Sequence, residues 1–138
     1  MNGKKLNSNR APVAVGLYPH ARKVDNLLFL SGVGPREVGE KDIPGVILKA
    51  NGEIESYDIE TQCHSVFENV RVILEDAGSS WSNIVDVQVF LTNMKSDFKK
   101  YNEIYAEYFK INQPCRTTIE IKSLPTPIAI ELKVIATI

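Results

Sequence analysis

The sequence predicts an α+β domain in which two helices pack on one face of a mixed β-sheet. Two stretches with helical spacing alternate with strand patterns, in the order strands, helix, strand, helix, strands. No shift in composition marks a linker, and 138 residues fall in the usual range for one domain. Two helices on one face would bury every apolar face in the pattern, and the open face would need a partner. We therefore expect one domain over residues 1–138 that forms oligomers.

The first third of the chain predicts strands joined by loops. Residues 1–12 are polar without periodicity, which predicts a flexible or loosely docked arm. A short apolar run at 27–30, followed by Ser31 and Gly32, is typical of a buried strand. Residues 33–46 hold three glycines, two prolines and five charges, which predicts a surface loop. Asn51-Gly52 lies between two further apolar runs and favours a hairpin turn.

The first helix is the clearest element of the pattern. Asp58 is a typical N-cap, and Glu60 lies in the first turn, where the helix dipole favours negative charge. Gly78 is a typical stop signal. His64 falls on the polar face, which makes it a solvated residue. The apolar face comprises Ile59, Cys63, Val66, Phe67, Val70, Ile73 and Leu74.

The second half predicts a strand, a helix and two final strands. Residues 84–92 alternate, with Val85, Val87, Val89 and Leu91 on one face. The second helix is expected to begin near Ser96 or Asp97. Its aromatic stripe predicts core packing and comprises Phe98, Tyr101, Tyr105 and Phe109. Residues 116–122 and 128–138 alternate as strands, and the prolines between them fit a turn.

Composition argues against several classes of function. Sixteen basic and seventeen acidic residues leave a formal charge of -1, which provides no field to attract nucleic acid or anionic lipid. No segment has the length and apolarity of a membrane span, and no targeting segment is visible. The two cysteines, Cys63 and Cys115, lie far apart without metal-ligand spacing. The expectation is a cytoplasmic protein without a metal site.

Two residues of the final strands have features of a site. Arg116 begins a strand, and its planar fork suits bidentate binding of a carboxylate, although a lone arginine is more often a solvated charge. Glu131 interrupts an apolar run, and a carboxylate in that setting is paired or has a raised pKa. The alternative for Glu131 is an edge-strand residue that faces solvent.

Five segments together resemble the YjgF/Rid family of enamine and imine deaminases. They are GLYPHARKVDNLLFLSG, VFENVRVILEDAGSSWSNIVDVQVFLTNM, YNEIYAEYF, QPCRTTIEI and LPTPIAIELKVIA, which cover nearly the whole chain from Gly16. The resemblance implies a chorismate-mutase-like fold and a homotrimer with active sites between subunits. It also implies catalysis without a cofactor.

The resemblance assigns roles to individual residues. The arginine of the family's P-x-R-[ST] segment matches Arg116, which would hold the substrate carboxylate, and the glutamate of the last strand matches Glu131, which would manage a water and a proton. Tyr18 and Ser31 would line the pocket, and main-chain groups near Thr118 would help place the water. Many members have a cysteine where this chain has Thr118, so a thiol role is excluded.

The substrate implied by the resemblance is 2-aminomuconate. Gly34-Pro35-Arg36, residues 42–45 and residues 61–71 are similar to the subgroup that contains 2-aminomuconate deaminase, whose product is 2-oxo-3-hexenedioate (4-oxalocrotonate). The second carboxylate would need a second cation, for which His20, Arg22, Arg36 and Lys41 are candidates. Two alternatives stay open: a general 2-aminoacrylate or 2-imino acid deaminase, and a non-catalytic ligand-binding or chaperone-like trimer.

Overall fold

The computed structural model describes residues 3–138 as a six-stranded mixed sheet with two helices on one face and a separate hairpin. The sheet has the order β1-β2-β3-β8-β6-β7, in which only β6 and β7 are parallel. The predicted α+β arrangement is thus confirmed. The strands are β1 (Lys4–Leu6), β2 (Ala21–Val24), β3 (Leu27–Leu30), β4 (Val46–Leu48), β5 (Ile54–Tyr57), β6 (Ile84–Leu91), β7 (Cys115–Glu120) and β8 (Ile130–Thr137), and the helices are α1 (Ile59–Asp76) and α2 (Met94–Phe109).

Helix α1 begins and ends where the sequence predicts. Asp58 has an extended backbone and accepts a hydrogen bond from the amide of Thr61, as an N-cap does. Gly78 has a φ of +86°, a left-handed conformation that glycine adopts without steric cost and that stops the helix. The apolar face of α1 packs on the sheet, where Val66, Phe67 and Val70 are fully buried.

Helix α2 begins two residues before the predicted start. Asn93 is the N-cap, and its side-chain oxygen accepts a hydrogen bond from the amide of Ser96. The helix therefore begins directly after Asn93, and Ser96 lies in its first turn. The aromatic stripe packs inward as predicted, with Tyr101 and Phe109 at most 2% exposed. The Tyr105 and Phe109 rings stack with their centres 4.3 Å apart, which makes this face rigid.

Strand β6 departs from the predicted alternation at its start. The register between β6 and β8 shifts between Ile84 and Asp86, so Val85 is bulged out and 43% exposed. Ile84 is buried in its place. The prediction for Val85 was wrong because a bulge changes which residues share a face, and the alternation alone does not reveal it.

The N-terminal segment is docked in the part of residues 1–12 that the structure describes, which is the second of the two alternatives for this arm. Residues 4–6 form β1, which pairs with β2 as an edge strand. The Ser8 hydroxyl and the Arg10 guanidinium both donate to the carboxylate of Asp76 at the end of α1, and Ala11 is buried. The polar sequence fails to reveal this docking because it depends on tertiary contacts, and Asp76 lies over 60 residues along the chain. Residues 1 and 2 lie outside the described part.

The two faces of β8 differ in character. Leu132, Val134 and Ala136 face the helices and are fully buried. Glu131, Lys133 and Ile135 face the other way, toward the open side of the sheet, and are half-buried. Phe29 and Phe90 lie beside them on the same open face, because their strands pair with β8 in register. Within residues 3–138, no helix is both long and apolar enough to cross a membrane.

Candidate active site

Four of the residues singled out from the sequence line one small cavity. Tyr18, His20, Ser31 and Arg36 surround it together with Gly32. The cavity holds about 30 Å³, which is enough for a water molecule but not for a six-carbon acid. Its remaining wall is formed by Pro12, Ala14, Val33, Gly34 and Ile73. In one chain, this cavity is therefore too small to be a complete substrate pocket.

The polar groups around this cavity hold the segment of residues 12–19 in place. The Ser31 hydroxyl donates to the carbonyl of Pro19 at 2.7 Å, and Arg36 Nη2 donates to the carbonyl of Val13 at 2.9 Å. The remaining N–H groups of the Arg36 fork leave it able to bind a further acceptor. Arg36 thus keeps a binding capacity, whereas the Ser31 hydroxyl is used as a structural donor.

His20 differs from its expected role as a second cation. The amide of Ser8 donates to His20 Nδ1 at 2.9 Å, so this nitrogen is an acceptor and carries no proton. His20 Nε2 therefore carries the proton and donates to the carbonyl of Pro12 at 2.6 Å. Because both ring nitrogens are used by the backbone and the ring is neutral, His20 fixes the N-terminal segment and is not an available cation.

Glu131 lies on the open face of β8, directly over Gly32. A Cβ atom on Gly32 would lie 2.7 Å from Glu131 Oε2, so this carboxyl needs a glycine beneath it. Burial raises the pKa of Glu131 above its usual value. Within residues 3–138, no basic side chain forms an ion pair with it. This agrees with the sequence-based expectation of a carboxyl with a raised pKa, and the protonated form of such a group is favoured over that of an exposed glutamate.

Lys133 is a second charged residue on this face that the sequence reasoning missed. Its ammonium donates to the carbonyl of Leu30, and burial lowers its pKa. The signal was present in the alternation of β8, which places Glu131 and Lys133 on the same side of an apolar strand. A half-buried ammonium thus lies two residues along the strand from the Glu131 carboxyl.

Arg116 lies on the edge strand β7, beside α2 and two strands away from β8. Its guanidinium carbon is 4.7 Å from the centre of the Tyr105 ring, and Nη1 donates to the side-chain oxygen of Asn102 at 2.8 Å. Arg116 is exposed in the single chain, and β7 is an edge strand. Thr118, two residues along, shares a hydrogen bond of 2.9 Å with the Tyr101 hydroxyl. This edge therefore presents an oriented cation to solvent.

Arg116 and Glu131 point away from each other within one chain. Arg116 pairs with Val87, and Val87 pairs with Val134 on the helix side of the sheet. Glu131 pairs with Phe90, three residues along β6, and an odd step in a strand reverses the face. One chain therefore cannot place both side chains on one small molecule. Within the described part of the chain, no three acidic, histidine or cysteine side chains cluster as metal ligands.

Comparisons with known proteins agree on one family over nearly the full length. Residues 8–138 match the family described as Endoribonuclease L-PSP. A RutC family protein of Pyrococcus abyssi is 38% identical over 129 residues, covering 94% of this chain and 92% of its own length. Reactive Intermediate Deaminase A of Arabidopsis thaliana, a chloroplastic protein, is 35% identical over 133 residues, covering 96% of this chain and 65% of its own length.

Solved structures give the same result for the fold. Yeast Mmf1 superposes with a TM-score of 0.84 at 32% identity, covering 99% of this chain and 98% of its own. The Rid family protein YyfA of Yersinia pestis superposes with a TM-score of 0.84 at 31% identity, covering 99% of both chains. These matches confirm the chorismate-mutase-like arrangement of two helices on a mixed sheet. The chain belongs to the Endoribonuclease L-PSP family, which is the YjgF/Rid family that its motifs resemble.

Proposed function

We propose that this protein hydrolyses an enamine or imine carboxylate to a 2-oxo acid and ammonia, at a site formed between copies of the chain. Arg116 of one copy binds the substrate carboxylate, and Glu131 of the next copy handles the water and the proton. The proposal depends most on one observation: an oriented, exposed guanidinium and a half-buried carboxyl with a raised pKa lie on opposite faces of one sheet. Each side chain is one half of a site that a neighbouring copy would complete.

The chemistry balances with these groups and water. Protonation of the enamine at carbon gives the iminium ion, and water adds to the carbon of the C=N bond while the Glu131 carboxylate accepts a proton from it, which gives the carbinolamine. The protonated Glu131 then returns this proton to the nitrogen. Ammonia leaves as the C=O bond forms, and the Glu131 carboxylate accepts the proton of the hydroxyl group and releases it to solvent. Burial raises the pKa of Glu131, and a more basic carboxylate is better suited to accept a proton from water before it donates it again.

Two surfaces of the chain support assembly into the expected homotrimer. The outer edge of β7 has unpaired backbone groups, and exposed strand edges are usually covered in native proteins. The open face of the sheet has apolar side chains that one chain leaves partly exposed, such as Ile119 at 42%. A second copy against these surfaces would bury them and bring a foreign Glu131 or Arg116 to each site. The residues that line the cavity of about 30 Å³ would then form one wall of a larger pocket.

Within this reaction class, we propose 2-aminomuconate as the substrate and 2-oxo-3-hexenedioate as the product. Of the four cations considered for the second carboxylate, Arg36 lines the cavity and retains free N–H groups, whereas His20 is neutral and engaged. The second candidate is 2-aminoacrylate or a similar small imino acid. The name of the Arabidopsis relative, Reactive Intermediate Deaminase A, supports deamination of a reactive intermediate in general, which includes this smaller substrate.

Ammonia release from freshly generated 2-aminomuconate and 2-aminoacrylate tests the reaction class and the substrate together. We expect release from at least one substrate well above the rate without protein. A strong preference for 2-aminomuconate that Arg36→Ala abolishes would support the dicarboxylate. A preference for 2-aminoacrylate would contradict it, and no acceleration of either would contradict the enzyme and favour a non-catalytic trimer.

RNA cleavage, which the family description suggests, has less support from this chain. The formal charge is -1, both ring nitrogens of His20 are bonded to backbone groups, and His64 lies on the outer side of α1 against Tyr108. The two histidines are thus placed for structural contacts and not as an acid–base pair. The expectation of a protein without nucleic acid as its main partner stays a prediction, as does the cytoplasmic location.

Gly32→Ala is expected to lower kcat by about 10²-fold, because displacing a reacting group by about 1 Å has this effect. The added methyl would lie 2.7 Å from Glu131 Oε2 and push the carboxyl away from its position. The KM should change less, because Arg116 on another edge of the sheet binds the substrate. Steady-state kinetics at saturating substrate measure this. An unchanged kcat would show that the carboxyl needs no fixed place over Gly32.

A further inference from the structure

The partner of Arg116 is a neutral side chain. Nη1 of Arg116 donates to Asn102 Oδ1 at 2.8 Å, and within residues 3–138 no carboxylate forms an ion pair with this guanidinium. Arg10 and Arg71, by contrast, are bound by the carboxylates of α1. An amide partner fixes the direction of the guanidinium without neutralising its charge. The positive charge of Arg116 thus stays available to an anionic ligand.

Aromatic rings of α2 further restrict the position of the Arg116 guanidinium. The guanidinium carbon lies 4.7 Å from the Tyr105 ring centre and 5.6 Å from the Tyr101 ring centre, distances at which the ring faces attract a cation. These rings are buried and packed edge to face, so they form a well-packed surface beneath the guanidinium. Asn102 lies on the same helix between the two tyrosines and bonds Nη1 of the guanidinium, which also interacts with the Tyr101 hydroxyl. The rest of the fork is left for a ligand.

We propose that Asn102 is a positioning residue that orients Arg116 for bidentate binding of a substrate carboxylate while keeping its charge uncompensated, an inference that rests on the proposed function. Asn102 acts through Arg116 and not on the reacting carbon. An acid at this position would compete with the substrate for the guanidinium. The amide therefore makes this strand edge selective for small carboxylates over neutral analogues.

The test uses pyruvate, the 2-oxo acid that hydrolysis of 2-aminoacrylate yields, and pyruvamide as its neutral analogue. Binding is followed through the Nε–H signal of Arg116 in arginine-labelled protein, so no turnover is needed. Asn102→Asp has nearly the shape of the original side chain and is expected to raise the Kd of pyruvate by about 30-fold or more, because it pairs with the guanidinium. Asn102→Ala loses only the orienting bond and is expected to raise it by about 3- to 10-fold.

Lys100→Gln is the matched control. It makes the same change of net charge as Asn102→Asp, on the exposed side of the same helix. It should leave the Kd of pyruvate within about 2-fold, since exposed charges at a distance are screened. In turnover of 2-aminoacrylate, the Asn102 variants should raise KM and change kcat by less than about 3-fold, as expected for loss of uniform binding. Pyruvamide binding should be equally weak in all variants.

The outcomes separate this inference from the proposed function. Equal pyruvate affinity in the wild type and both Asn102 variants would overturn the inference, and so would a loss in Lys100→Gln as large as in Asn102→Asp. A wild type that does not bind pyruvate would also overturn it. Selective pyruvate binding that depends on Asn102, without ammonia release from any enamine carboxylate, would support the inference and refute the proposed reaction.

Discussion

Arg116→Ala is expected to lower kcat/KM for an enamine carboxylate by about 10³-fold. Two charge-assisted hydrogen bonds to a carboxylate contribute about 1.5–3 kcal/mol each, and both are lost with the guanidinium. Arg116 is exposed in the single chain, so its removal opens no cavity in the core. Ammonia release measures the effect, while size-exclusion chromatography and thermal denaturation show whether the assembly is retained.

Two further variants separate the loss of the Arg116 fork from a general effect of removing an arginine. Arg116→Lys keeps the charge without the fork and should recover only part of the loss, because an ammonium cannot bind a carboxylate bidentately. Arg71→Ala removes an arginine that is engaged with Glu68 and Glu75 on the outer side of α1, and it should leave turnover unchanged. If Arg116→Ala released ammonia as fast as Arg71→Ala, the carboxylate would not be bound at this edge, and a non-catalytic role would gain support.

Glu131→Gln is expected to slow turnover by about 10²- to 10⁴-fold, the usual contribution of a general acid or base. Gln has the same shape but cannot accept a proton from water or return one to the leaving nitrogen. For the wild type, kcat should fall as the pH falls through the raised pKa of Glu131, because the protonated carboxyl can no longer accept from water. A variant with wild-type kcat and an unchanged pH profile would remove Glu131 from the mechanism.

The same substitution is expected to stabilise the fold at alkaline pH. Burial raises the folded-state pKa of Glu131, so the folded state binds this proton more tightly than the unfolded state. The contribution of this protonation to the stability of the fold is fully present below the pKa of Glu131 in the unfolded state. It is lost as the pH rises through the pKa of Glu131 in the folded state. Glu131→Gln, which never ionises, should therefore raise Tm at pH 8 by about 2 °C.

Melting curves at pH 4 and pH 8 test this sign. The difference between Glu131→Gln and the wild type should shrink toward pH 4, where the carboxyl is largely protonated in both states. Glu55→Gln removes one carboxylate from the exposed side of β5 and is the control for the change in net charge. A Glu131→Gln variant that melts below the wild type at pH 8 would mean that the assembled protein supplies a cation to this carboxylate.

Local signals predicted much of the fold. The N-cap at Asp58 and the stop at Gly78 are encoded in adjacent residues, so both ends of α1 could be placed from the sequence. The bulge at Val85 and the pairing of β1 depend on partners distant in the chain, and the alternation of one segment does not specify them. Elements with short-range determinants were predictable, whereas edge strands and irregularities of register were not.

The sequence yields candidate residues for the site, whereas their relative placement follows only from the structure. The pattern of β8 revealed Glu131, because a lone acid in an apolar strand is unusual. It did not reveal that Arg116 points to the other face, since that follows from the pairing of both strands with β6. Residues that act through a neighbour were also missed: Asn102 has no unusual sequence setting, and the neutral ring of His20 becomes clear only from its two backbone partners.

Complementation between two inactive variants is the most direct test of a site completed by a second copy. Arg116→Ala and Glu131→Gln chains carrying different tags are co-expressed, and oligomers that contain both are purified. In a mixed trimer, one interface of three combines an intact Arg116 with an intact Glu131, so ammonia release should recover to about a third of the wild-type rate. Mixed trimers as inactive as either parent would contradict the proposed site between copies.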